Sequence, residues 1–254
     1  RLRRLLQFAS VTMSSASFVV VGVILADLMA EYSLSLAGAG LVAVIRSAGE
    51  VAAAVSVGAA VGRIGTRRLF LLGNFLVGGA GVALLAVRPL AAVLVLLFLS
   101  GLGVQFVTAC AAAMVGAGAA RPGRNISLVF LAVSVGIVLT PAAAGWLLEA
   151  GASWRAVAGA IGALALLLAL VQLRDGALPR AAEQEGDAAP LRRTLADPRI
   201  WMIAGTIFVW VTSNIVPITW LPTVARAELG AGDGLAGAAL SAYTLGALVS
   251  RLLA

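Results

Sequence analysis

The chain has 254 residues, of which 61% are hydrophobic and 11% charged, with a formal net charge of +7. A soluble globular domain carries about twice that charged fraction, so the composition excludes an ordinary soluble fold. All 18 basic residues are Arg and all but two fall between apolar runs, which points to membrane topology and away from nucleic acid.

The absence of His excludes a His-ligated metal site, an HExxH protease and a histidine proton relay, and no serine-nucleophile motif is present. An enzyme is therefore not expected, and no residue pattern calls for a cofactor. Cys110 stands alone and cannot form an intrachain disulfide.

Apolar runs of about 20 residues match a hydrocarbon core of about 30 Å at 1.5 Å rise per residue. Eight such runs follow one another, at roughly 8–30, 37–62, 69–87, 90–118, 126–148, 155–173, 200–224 and 235–254. The expected fold is an all-α membrane protein, a bundle of about eight transmembrane helices embedded in a lipid bilayer. The first run is longer than a signal-peptide core of about 7–15 residues, and more spans follow it, so it reads as a transmembrane helix. Gly and Ala are abundant within the runs, and such small residues let helix backbones approach closely in lipid.

Counting Arg orients the bundle. With the N-terminus in the cytoplasm, the outer loops hold only Arg88, Arg155 and Arg226, two further Arg (Arg46 and Arg251) lie within spans, and the other thirteen lie on the inner side. That bias predicts a multi-pass protein of the cell inner (plasma) membrane with its N-terminus cytoplasmic.

Residues 174–199 differ in composition. They hold five of the 11 acidic residues together with Pro and Gly, and read as a solvated cytoplasmic linker. It separates a six-span block, 1–173, from a second segment, 200–254. An internal repeat supports two parallel halves: LAGAGLVAV at 36–44 and LAGAALSAY at 235–243 agree at six of nine positions, at an offset of 199 residues. The same offset puts a second copy of the loop that begins at Gly58 near residue 257. The chain is thus expected to be truncated, a six-helix half followed by the first two helices of a second half.

Three charges fall inside the first two spans. Arg46 and Glu50 are four residues apart and share a helix face, roughly 14 and 20 Å deep at about 1.5 Å per residue. Ionisable groups at such depth are expensive and mark solute or ion pathways, although a self-neutralising pair that only holds helix packing fits the same spacing. Asp27 lies near the outer end of span one, where it either completes a network with Arg46 or reaches to water. Polar groups elsewhere in the spans include Ser14, Ser15, Ser17, Thr108, Asn125 and Ser134, many of which are expected to bond back to their own helix carbonyls.

The loop between spans two and three, GAAVGRIGTRRLF at 58–70, resembles the loop pattern G-x-L-a-D-r-x-G-r-r of the major facilitator superfamily. Gly58, Arg63, Gly65 and Arg67 fall in place, Arg68 follows, and Gly62 stands where the family has Asp. GIVLTPAAAGW at 136–146 is similar to the family's G-x-x-x-G-P-x-x-G-G, with Gly136, Pro141 and Gly145 kept. SWR at 153–155 resembles the family's approach to its sixth helix, and Leu97 occupies the place of the family's membrane Arg in span four. NIVPITWLP at 214–222 resembles the broken seventh helix of fucose–proton-symporter-like members, with Asn214 where an acidic residue precedes the Trp at 220.

The resemblance implies a major facilitator-type helical bundle in which spans one, four and seven line a cavity. Gln105 and Asn214 then become cavity candidates, and Trp220 reads either as a stacking platform for solute or as an interfacial aromatic anchor. It implies secondary transport of a small organic solute by alternating access, symport or antiport. Protons would be the coupling partner, carried by Glu50 or Asp27, with Arg46 binding an anionic group or regulating the carboxylate. A non-transporting receptor or assembly subunit with a transporter-like fold is the alternative.

Overall fold

A computed structural model describes residues 2–116, 122–174 and 196–253. Among them the chain forms eight helices: α1 (Leu2–Tyr32), α2 (Leu36–Ile64), α3 (Thr66–Ala83), α4 (Leu90–Gly116), α5 (Pro122–Glu149), α6 (Trp154–Arg174), α7 (Pro198–Leu229) and α8 (Asp233–Leu253). The end of the bundle where α1 begins is called proximal below, and the end where α1 finishes is called distal.

Local chemistry sets the turns. Ser35 starts α2 by accepting a hydrogen bond from the Gly38 N–H at 3.2 Å, and Asp197 caps α7 through the Arg199 N–H at 2.9 Å. Gly65, at φ 81°, reverses the chain between α2 and α3, a backbone conformation that favours a residue without Cβ. Gly230, at φ 63°, ends α7 in the left-handed conformation common at helix C-termini. The linker expected at 174–199 lies mostly outside the described residues.

α1 is the central helix. Val11, Val19, Val23, Ile24, Leu25 and Leu28 are fully buried on it, and it touches every other helix of the first six as well as α7. α4 carries no charged residue and packs along both α2 and α3, while α3 also packs along α6. These contacts are backbone-close. A Cβ on Gly49 or Gly101 would run into the carbonyls of Phe98 and Arg46, and a Cβ on Gly162 would stand 2.7 Å from the Gly81 Cα. With no hydrophobic drive between helices in lipid, such small-residue seams provide the van der Waals contact that holds them.

The surface is apolar where a soluble protein would be polar. Val55, Trp146, Leu164 and Leu167 are all exposed, as expected for side chains that face lipid tails. By length and composition α1, α2, α4, α5 and α6 can each cross a membrane. α3 has 18 residues, opens on Thr66, Arg67 and Arg68, and is held between α4 and α6.

Candidate functional site

The ionic pair expected from helical spacing is present on α2. Arg46 Nη1 donates to Glu50 Oε1 at 2.8 Å, with the Arg46 side chain 4% exposed and that of Glu50 21%. Arg46 lies on the buried face that runs through Ala39, Val42, Gly49 and Ala53, which is turned toward α4. Its guanidinium carbon sits 4.6 Å from the centroid of the Phe18 ring on α1, a cation–π distance. Arg46 Nε and Nη2 are buried with no hydrogen-bond partner among the described residues. Nearby, Ser17 of α1 and Ser100 of α4 share a 3.0 Å hydrogen bond next to the Gly101–Arg46 contact.

Asp27 neither joins Arg46 nor stands alone at the surface. Its Oδ2 accepts from Arg226 Nη1 at 3.2 Å, and Arg226 Nη2 also donates to the Val23 carbonyl at 3.0 Å. Arg226 Nε lies 2.9 Å from Asp233 Oδ1 in the first turn of α8. One arginine therefore ties α1 to α7 and α8 at the distal end.

A second distal cluster was not singled out in the sequence. Glu31 Oε2 accepts from Arg155 Nη1 and, at 2.7 Å, from Trp154 Nε1. Arg155 Nη2 donates to Tyr32 Oη at 2.8 Å and to the Val87 carbonyl at 3.3 Å, and Tyr32 Oη donates to the Arg88 carbonyl at 2.6 Å. A signal for both clusters existed: Asp27 and Glu31 are four apart on one face of α1, and two of the three outer-loop arginines pair with them.

The other candidates are dispersed. Gln105 is half-buried on α4 and Asn214 half-buried on α7. Trp220 packs against the apolar cluster that contains Val19, Val23 and Ile218, so it lies in the α1–α7 seam. Among the described residues Arg63, Arg67 and Arg68 form no ion pair, and a Cβ on Gly58 would meet open space. Ser15, Thr108 and Ser134 donate to their own helix carbonyls, as expected.

The Gly136–Pro141–Gly145 segment is where α5 meets its neighbours. A Cβ on Gly136 would strike the Thr12 carbonyl of α1, and one on Gly145 the Asp233 carbonyl of α8. Pro141 has no N–H to give to the Ile137 carbonyl. α8 packs over this point: Ser241 Oγ accepts from the Ala142 N–H at 3.0 Å, and Thr244 Oγ1, 3.0 Å from its own Leu240 carbonyl, stands 3.4 Å from the Ile137 carbonyl. Gly237 completes the seam, its Cα facing the Pro141 carbonyl and Gly145.

A family model described as Major Facilitator Superfamily matches residues 7–254. No curated protein matches the chain. Among solved structures, a D-xylose-proton symporter is similar with a TM-score of 0.68 at 15% identity, over 96% of this chain and 65% of that one. A peptide transporter (POT) in complex with sulfate is similar with a TM-score of 0.58 at 17% identity, over 85% of this chain and 46% of that one. The chain thus spans about half to two thirds of the length of these transporters, and at such identities the likeness shows the fold.

Proposed function

The chain belongs to the major facilitator superfamily, and from that premise we infer that it serves secondary active transport of a small organic solute by alternating access, coupled to protons through Glu50. The Arg46–Glu50 pair carries this reading. Two ionisable groups near the middle of an apolar helix cost several kcal/mol in hydrocarbon, and they persist where they bind or move something. Glu50 is the more exposed of the two, which suits a group that must meet a proton donor.

Asp27 is the second candidate carrier; it lies at the distal end, where Arg226 holds its carboxylate as Arg46 holds that of Glu50. The N-terminus and the 174–199 linker are cytoplasmic in this reading, with the membrane an inner (plasma) membrane.

The packing of α7 supports alternating access. In its distal part α7 lies on α1, with the Ile218 carbonyl against Gly22 and Arg226 on Asp27, whereas Trp201, Met202, Phe208 and Val209 in its proximal part are exposed. The described six-helix block and the α7–α8 pair are then the two bodies that rock.

The test is reconstitution of the full-length protein in liposomes with an imposed pH gradient and labelled monosaccharides, amino acids, dipeptides and carboxylates. The wild type is expected to accumulate at least one of them in proportion to the gradient, and Glu50→Gln to lose that accumulation while still inserting. Full pH-driven accumulation by Glu50→Gln would make Glu50 structural.

A further inference from the structure

A guanidinium carries five N–H donors in a planar fork, and the edge formed by Nε and one Nη grips a carboxylate through two parallel N–H···O bonds. In Arg46 only Nη1 is engaged, by Glu50; Nε and Nη2, which form that edge, are buried without an acceptor. The Phe18 ring covers the cation but offers no lone pair to the N–H groups. Arg155 and Arg226 each bond a carboxylate and a backbone carbonyl and leave only Nε without a hydrogen-bond partner, that of Arg226 standing 2.9 Å from Asp233 Oδ1. Arg46 alone among these three has both atoms of a carboxylate-gripping edge unpartnered, and they lie buried near mid-membrane depth.

We propose that the Nε–Nη2 edge of Arg46 binds the carboxylate of a small organic monoanion with an apolar body, and that its arrival places one proton on Glu50. The inference rests on the transport reading of the same pair and adds the substrate class. Its chemistry follows from charge. Arg46 and Glu50 together are neutral; an added carboxylate makes the site a net anion in apolar surroundings. Taking up one proton on Glu50 restores neutrality, so proton and anion load as a pair and no net charge enters.

Among the described residues no other group is placed to take that proton. α4, the main neighbour of α2, carries no Asp, Glu, Lys or Arg, and its Cys110 thiol lies in a separate apolar cluster with Phe70 and Val107. On α3, Arg67 and Arg68 sit in the first turn at the proximal end, as does Arg63 at the end of α2. On α1, Arg4 lies at the proximal end, while Asp27, Glu31 and Tyr32 lie at the distal end and are already bonded to Arg226 and Arg155. The apolar body of the ligand is set by the Phe18 ring, which lies over the guanidinium.

The test is calorimetric titration of the purified full-length protein with acetate, butyrate and benzoate, and with acetamide, butyramide and benzamide as uncharged controls. Buffers of different ionisation enthalpy count the protons. At least one acid is expected to bind and its amide not to bind. One proton should be taken up per anion, so that the apparent Kd rises by about tenfold per pH unit once Glu50 is ionised in the free protein.

Glu50→Gln is expected to bind the same acid with no proton uptake and no such pH dependence, and Arg46→Gln to lose it. Binding of none of the acids, binding without proton uptake by the wild type, or proton uptake retained by Glu50→Gln would overturn the proposal. The Glu50→Gln result decides even if Arg46→Gln does not fold. Failure of the two readings is distinguishable. Anion binding without transport leaves the site and removes the transport reading. Glu50-dependent transport of an uncharged solute with no anion binding does the reverse.

Discussion

Arg155 and Arg226 sit at the same end of the bundle and hold two carboxylates of one helix, Glu31 and Asp27, yet they join different things. The partners of Arg155 all lie within the first six helices: Glu31 and Tyr32 on α1 and the Val87 carbonyl before α4, with its own ring neighbour Trp154 on α6. Arg226 reaches from α7 to Asp27 and Val23 on α1 and to Asp233 on α8. Arg155 is a staple within one block, whereas Arg226 is a latch between bodies that the transport reading requires to separate. The staple is backed by the Gly81–Gly162 seam of α3 and α6, the latch by Gly22 against the Ile218 carbonyl. In the transport reading the same chemistry, an arginine on an α1 carboxylate, carries stability in one place and conformational state in the other.

The largest effect should come from breaking the block that the staple belongs to. Gly162→Val puts branched carbons into a backbone contact already at 2.7 Å from Cβ to the Gly81 Cα, where overpacking costs about 3 kcal/mol. Size-exclusion chromatography of the solubilised protein is expected to show loss of the monodisperse peak; an unchanged profile would mean that the seam is loose. Glu31→Gln should come next. It leaves the buried Arg155 guanidinium without its counter-charge at a cost of about 2 kcal/mol, less than for a fully buried pair because Glu31 is about a third exposed. A clearly lowered thermal transition is the expected reading.

Asp27→Asn should change stability least, by less than about 1 kcal/mol, because the lost partner is a part-exposed carboxylate. Its effect should appear as accessibility instead. A cysteine placed at the buried Ile218 in the α1–α7 seam should react faster with a membrane-impermeant maleimide from the distal side in the Asp27→Asn background. Equal rates in both backgrounds would mean that the latch does not hold the seam closed.

Most of the helices could be read from the sequence because hydrocarbon thickness imposes their length. Differences arise at the ends. The first helix runs to Leu2 rather than about residue 8, since Arg4, Leu5 and Gln7 are good helix formers that continue past the apolar run. Span three was expected to reach residue 87, but α3 stops at Ala83 and the chain turns through Leu84–Val87 to present the Val87 and Arg88 carbonyls to Arg155 and Tyr32.

The Arg46–Glu50 pair was legible because it is local, four residues along one helix. The partners of Asp27 and Glu31 were not, because Arg226 and Arg155 lie 199 and 124 residues away and no periodicity links them. Pro141 was legible as part of the Gly136–Pro141–Gly145 pattern; that Ser241 and Thr244 of α8 lie against it is a tertiary fact.

The most direct test of the account is distance measurement between spin labels in the full-length protein in lipid. One pair, on Ala30 and Ala156, lies within the first block; the other, on Ala30 and Glu228, crosses the latch, and all three positions are exposed while Cys110 is buried. The Ala30–Ala156 pair is expected to give one distance under every condition. The Ala30–Glu228 pair should give two, exchanging in population when Asp27→Asn releases the latch. A single, unchanging distance for Ala30–Glu228, in the wild type and in Asp27→Asn alike, would contradict alternating access between these bodies.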